Sequence, residues 1–243
     1  VKIQMAGETI NYIGDELDLF KEATHWKSYF SSKLSPFISG RVLEVGAGIG
    51  INTPFLCATG NSQRVESWSL LEPDPTLASR IPQNLSETLG RKSKVINGTI
   101  ASTGDQTFDT IIYVDVMEHI EQSHQEVGLA KDRLTKSGRL IILAPAFNWL
   151  FNSFDQRIGH FRRYNKRIMR SEIDGRLDEE KLFYLDSVGL LASVANKFFL
   201  HKSLPSRQDI RFWDTKLLPL SKFCDPALGY SFGKSLIGIF RNQ

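Results

Sequence analysis

The sequence predicts an α/β fold, a mostly parallel seven-stranded sheet with helices on both faces. Short apolar runs alternate with helical segments through the middle of the chain, and the first of them ends in a glycine cluster. Near-continuous apolarity in such short runs is what strands show when helices cover both faces of a parallel sheet. Two further runs stand apart near the C-terminus and complete the set of seven.

In chain order, residues 15–34 read as a helix, with Leu17, Phe20, Ala23, Phe30 and Leu34 broadly on one side. Trp26 and Tyr29 on that helix are placed to cover a ligand or to fill the core. Strands are expected at 41–45, 67–71, 94–96, 110–114 and 139–143, each bounded by Gly, Pro, Asp or Asn. After the first strand, Thr53 is a plausible N-cap with Pro54 at the first helical position and Gly60 as the terminator. Residues 123–134 form another helix, with Val127, Ala130 and Leu134 on one face and Gly138 closing the next turn.

Beyond Pro145 the pattern changes. Residues 146–164 are aromatic and irregular, a basic helix follows at 166–173, and strands six and seven are expected at 181–185 and 235–240. The segment of about 45 residues between those two strands carries Pro205, Pro219 and Pro226, and is too long for a hairpin loop. It reads as an ordered insertion or lid. The expectation is a single domain over 1–243, with a helical cap (1–37), a ligand-binding core (38–145) and a lid with the last two strands (146–243).

The chain has 243 residues, 41% hydrophobic and 23% charged, which excludes disordered, collagen-like and coiled-coil classes. Its net charge of +3 is too small an excess to favour nucleic acid unless the charges cluster. Cys57 and Cys224 are too few for a disulfide scaffold and read as reduced thiols. Residues 1–15 hold no signal-like apolar run, and the most apolar stretch, 188–200, is interrupted by Ser193, Asn196 and Lys197. No membrane span is expected, and the chain reads as a soluble cytoplasmic protein.

The strongest motif is Glu44-Val-Gly46-Ala-Gly48-Ile-Gly50, directly after the first strand. Glycines there let the backbone turn sharply and approach a ligand, with the free N–H groups of a helix start behind them. Glu72 stands at the end of the second strand, where a carboxylate can accept from both hydroxyls of a ribose. A tight turn beside a surface acid is the plainer explanation; loop, cap and acid together favour a nucleoside ligand. A dinucleotide fingerprint needs a third glycine where this chain has Ile51. Glu44, one turn ahead of the glycines, suits the amino group of an amino acid better than a pyrophosphate. Both departures argue against NAD and for S-adenosylmethionine.

At these positions the chain resembles the class I S-adenosylmethionine-dependent methyltransferases, whose fold is Rossmann-like. Their acidic-Gly-x-Gly-x-Gly motif matches residues 44–50, and their ribose acid matches Glu72 with Pro73 and Asp74. The common D-V-L-E-H pattern is close to Asp115-Val-Met-Glu-His119, and the turn before their fifth strand matches residues 136–140. The resemblance implies that Glu44, Gly46, Ala47, Gly48 and Gly50 lie at the methionine end, and Glu72 with Pro73 at the ribose. It places Gly98 and Thr99 near the adenine, and Asp115 and Val116 beside the cofactor. Where many members carry an acid after the third strand, this chain has Asn97-Gly-Thr99, so a backbone or hydroxyl contact takes that role. The run Asp155-Gln-Arg-Ile-Gly-His-Phe-Arg-Arg-Tyr164 is similar to an element of a bacterial subgroup with unassigned substrates.

For the acceptor, residues 157–170 hold six Lys or Arg and no acid, with Arg163, Arg167 and Arg170 on one helical face. That is either a solvated face or a clamp for a phosphate or carboxylate. Phe161 and Tyr164 interleave with it, as in sites for nucleotide sugars or single strands. His160 and His119 are the candidate general bases, with Asp155 as partner to the first, and Tyr164 either packs on the acceptor or seals the lid. No metal site is read. The expected function is methyl transfer to a small or carrier-linked, anionic acceptor. The alternatives are an NAD-dependent oxidoreductase and a non-catalytic protein binding S-adenosylmethionine or nucleic acid.

Overall fold

A computed structural model describes residues 16–58, 64–200 and 205–243. In chain order its helices are α1 (Glu16–Phe20), α2 (Thr24–Leu34), α3 (Thr53–Ala58), α4 (Pro75–Asn84), α5 (Glu87–Lys92), α6 (Ser123–Asp132), α7 (Ser153–Arg157), α8 (Lys166–Ile173), α9 (Ser187–Ala195), α10 (Arg207–Phe212) and α11 (Leu218–Ala227). The strands are β1 (Gly40–Val45), β2 (Val65–Glu72), β3 (Ser93–Asn97), β4 (Phe108–Val114), β5 (Leu134–Pro145), β6 (Asp178–Leu185) and β7 (Ser235–Arg241). They form one sheet in the order β3-β2-β1-β4-β5-β7-β6. The first five run parallel, and β7 lies antiparallel between β5 and β6. The order reverses between β1 and β4, so a crevice opens at their C-terminal ends, where ligands of such sheets bind.

Consecutive strand residues feed opposite layers. Val42, Ile112 and Ile141 join Trp26, Phe30, Leu34 and Trp68 on one face. Leu43, Ile111 and Ile142 join Val127, Ala130 and Met169 on the other.

The expected helix at 15–34 is two helices. Between them, at residues 21–23, Lys27 turns back and donates its ammonium to the carbonyls of Phe20, Lys21 and Ala23. Thr53 does not use its hydroxyl as a cap, because that hydroxyl donates to Glu44 (2.8 Å). Gly60 lies outside the described residues. α6 ends at Asp132 and β5 begins at Leu134, earlier than the sequence pattern suggests, because Leu134 already pairs with Phe108 before a register shift.

The long insertion after β6 is ordered around buried aspartates. Asp225 accepts from the backbone N–H of Asp186 and Ser187, the Ser187 hydroxyl and the Tyr29 phenol. Asp186 caps α9 and accepts from Ser221 and the Trp213 indole. Asp214 accepts from the backbone N–H of His25 and Trp26. The insertion is thereby tied to the start of α2. No helix among the described residues is long and apolar enough to cross a membrane.

Candidate active site

A cavity of about 990 Å³ opens at the C-terminal ends of β1, β2 and β4, roofed by the 146–163 segment and the insertion. Its floor is the turn after β1. Gly46 sits at φ +66°, and a Cβ there would come within 2.5 Å of Val116 Cγ2. Only glycine leaves that approach open. Gly48 and Gly50 are also left-handed, at φ +57° and +77°, and the Gly50 N–H closes the turn on the Ala47 carbonyl (2.8 Å). Gly46, Ala47 and Gly48 line the cavity, whereas Gly50 faces away, against Ile81.

Glu72 meets this turn. One carboxylate oxygen accepts from the Gly48 N–H (2.8 Å) and the other from the Asp74 N–H (2.9 Å). A carboxylate offers about four lone-pair sites, so each oxygen retains capacity for a hydroxyl. Burial pushes Glu72 up to about 7, against the two backbone bonds. Pro73, Gly98 and Thr99 continue the wall. Asn97 is spent on structure, donating its amide to the carbonyls of Glu72 and Pro73.

Glu44 lies elsewhere. Its buried carboxylate accepts from Thr53 and from the Trp68 indole (2.9 Å) and is not part of the cavity wall. The expectation that it meets an amino group is corrected: it bolts the glycine turn to α3 and β2 from behind. Burial raises it to about 7. Of the two aromatics on α2, Trp26 lines the cavity, whereas Tyr29 serves Asp225.

At the far end, Asp115 and Val116 follow β4, Asp115 at φ +53°. Burial lifts Asp115 to about 7 against the pull of Lys234. Next come Glu118, His119 and His160, with the two imidazoles edge to face at 4.5 Å between centroids. His160 Nδ1 lies 2.8 Å from Asp155, so the expected partnership is present. A neutral ring that donates from Nδ1 carries its lone pair on Nε2, the atom 3.8 Å from Glu118. Burial lowers both imidazoles, His119 to about 3, where the neighbouring His160 adds to the effect. Burial, then Asp115, raises Glu118 well above the usual carboxylate range. Asp155 goes the other way: burial pushes it up, but bonds from His160 and Arg163 outweigh this.

Arg163 lines the cavity, yet its guanidinium is committed bidentately to Asp155 (2.9 Å and 2.9 Å). Arg167 is exposed on α8 and outside the cavity wall, and Arg170 pairs with Glu179. The proposed Arg163–Arg167 clamp therefore does not assemble, because the helix turns Arg167 outward. Tyr164 is also corrected: it is fully buried beneath the wall and donates its hydroxyl to the Met117 carbonyl (3.1 Å). Lys234, just before β7, lines the cavity, with its ammonium 4.5 Å from the Trp213 ring centroid. Sequence reasoning missed it, since nothing in Gly-Lys-Ser signals that the loop folds inward.

The family described as a methyltransferase domain matches residues 16–186. No curated protein matches the chain. A chain of the complex between the Trm112 methyltransferase activator and a methyltransferase of Haloferax volcanii is 14% identical, with 93% of this chain and 94% of that one covered and a TM-score of 0.65. YcgJ from Bacillus subtilis is 14% identical over 90% and 99%, with a TM-score of 0.57. The N-methyltransferase NodS from Bradyrhizobium japonicum, solved with S-adenosyl-L-homocysteine, is 14% identical over 97% and 94%, with a TM-score of 0.54. The fold is thus that of the class I S-adenosylmethionine-dependent methyltransferases, and with the greater part of its length matched the chain belongs to the methyltransferase-domain family.

Proposed function

We propose that this protein transfers a methyl group from S-adenosylmethionine to an acceptor seated against Glu118, His119 and His160. One observation carries the reading: Glu72 and the Gly46–Gly48 turn are locked together at one wall of the cavity by the 2.8 Å bond. The residues fit the cofactor. The turn leaves room that a Cβ at Gly46 would fill, and Glu72 keeps acceptor capacity for two ribose hydroxyls. Thr99 and the backbone of 98–101 line the side where Asn97 cannot reach.

When bound, the cofactor supplies a methyl group on an electrophilic sulfonium. The chain's share is alignment and exclusion of water. Leu150, Ile158, Ile210, Trp213 and Leu217 give the cavity its apolar walls. At the opposite end burial holds two imidazoles neutral, and His160 is oriented by Asp155. With Arg163 spent on Asp155 and Arg167 outside, an anionic group on the acceptor gains nothing from them. The volume suits a nucleoside cofactor plus a small acceptor or the end of a carrier-linked one.

Calorimetry with S-adenosyl-L-homocysteine tests the reading. One site per chain is expected, weakened roughly 10-fold or more by Glu72→Ala, since hydrogen bonds to a charged group contribute about 1.5–3 kcal/mol. NADH should give no heat. Binding of NADH, or no heat with either S-adenosyl compound, overturns it.

A further inference from the structure

We propose that Glu118, His119 and His160 bind a divalent transition-metal cation whose open positions face the cavity. Its use in methyl transfer rests on the function proposed above, but its binding does not.

The first argument is the state of Glu118. Its side chain is fully buried, and neither carboxylate oxygen has a hydrogen-bond partner in another of the described residues. Buried carboxylates are ordinarily paired, hydrogen-bonded or metal-bound. The nearest guanidinium, Arg163, spends its donors on Asp155. Glu118 is left with hydrogen-bonding capacity that no other described residue uses.

The second is convergence. One ligand atom from each of the three residues lies within 4.8 Å of the other two, the only such cluster of three among the described residues. Metal bonds to imidazole nitrogen and carboxylate oxygen run about 2.0–2.2 Å. An ion between the three would draw each in by well under roughly 1 Å, within reach of small side-chain rotations.

Third, the ligands are already oriented. His160 is held at Nδ1 by Asp155, which itself accepts from Arg163 and the Asn152 N–H. A carboxylate behind a histidine in this way fixes the ring and leaves Nε2 for a metal. His119 is steadied by a backbone hydrogen bond with Gly159. The two segments are bolted together by the Phe161 N–H on the Glu118 carbonyl (2.8 Å).

Two imidazoles and one carboxylate suit zinc, manganese, iron or cobalt better than magnesium or calcium. Three protein ligands leave positions for an oxygen of the acceptor, so the acceptor class is one presenting a hydroxyl or carbonyl oxygen.

The test uses chelator-stripped protein titrated with Co²⁺, followed by its visible absorption, and with Zn²⁺ by calorimetry. One ion per chain is expected. Glu118→Gln and His160→Ala should each weaken binding about 100-fold, and Asp155→Asn, at a positioning residue, about 10-fold to 100-fold. S-adenosyl-L-homocysteine affinity in His160→Ala should stay within about threefold, showing that the fold stands. Wild-type protein that binds Co²⁺ no more tightly than both ligand variants overturns the site. If the homocysteine ligand still binds, that failure leaves the methyltransferase reading intact. Metal binding without nucleoside binding would separate the two the other way.

Discussion

Glu44 and Glu72 are both buried carboxylates raised to about 7, yet one holds the scaffold and the other faces the cavity. For Glu44 the consequence is a pH-dependent stability. Between about 4.5 and 7 the folded protein keeps its proton while the unfolded chain has lost it, so stability falls as pH rises through that window. The total is about 3 kcal/mol at ~1.4 kcal/mol per pKa unit. Glu44→Gln should therefore cut the drop in urea stability between pH 5 and pH 8 by about that amount, and an unchanged drop would refute the buried proton. Gly46→Ala acts through the backbone. With φ at +66° and Val116 2.5 Å from the new Cβ, it should cost roughly 1–3 kcal/mol of stability. It should also weaken S-adenosyl-L-homocysteine binding, measured by calorimetry alongside the melt. The glycine spacing and Glu72 were readable because each leaves a local mark in sequence. Glu44 misled because its acceptance from Thr53 and Trp68 depends on α3 and β2 being folded against the end of β1.

At the scale of elements, strands were legible and their connections less so. Each strand is a short apolar run with two covered faces, and such runs announce themselves. The break between α1 and α2 was not legible, because it depends on the Lys27 ammonium folding back on three carbonyls rather than on a Gly or Pro. Likewise Arg167 shares a helical face with Arg163 in a sequence projection, but Arg163 lies ahead of α8. The periodicity does not extend to it. The insertion illustrates the same limit: its length and prolines signal order, but its buried aspartates tie it to partners on α2 far away in sequence. Asp225 accepts four hydrogen bonds, so Asp225→Ala strands four buried donors and should destabilise the protein by about 3–5 kcal/mol in chemical denaturation. A loss below about 1 kcal/mol would mean that the insertion is held mainly by its apolar contacts. Because Tyr29 is one of those donors, the variant should also loosen α2, which carries Trp26 at the cavity wall.

For the molecule as a whole, the reversal of strand order between β1 and β4 sets the position of the cavity, and two structural layers close it from opposite ends of the chain. α1 and α2 contribute Leu17, Phe20 and Trp26, and the insertion contributes Ile210, Trp213 and Leu217. Phe20 and Trp26 both pack against Trp213, with ring centroids 6.4 Å and 5.8 Å away. A ligand held on Glu72 and touched by both layers binds the folded chain alone, so its binding energy adds to the stability of the whole. At 100 times its dissociation constant that gain is about 2.7 kcal/mol. For a chain of this size each kcal/mol moves the midpoint by about 2–4 °C, so S-adenosyl-L-homocysteine should raise Tm by roughly 5–10 °C. The rise should grow with the logarithm of ligand concentration and fall away in Glu72→Ala. A protein that binds the ligand in calorimetry yet melts at an unchanged temperature would show that its cavity layers come apart before the sheet does. The melt would then report a unit that excludes the site, and the packing of Trp26 on Trp213 would not couple the two layers to the core.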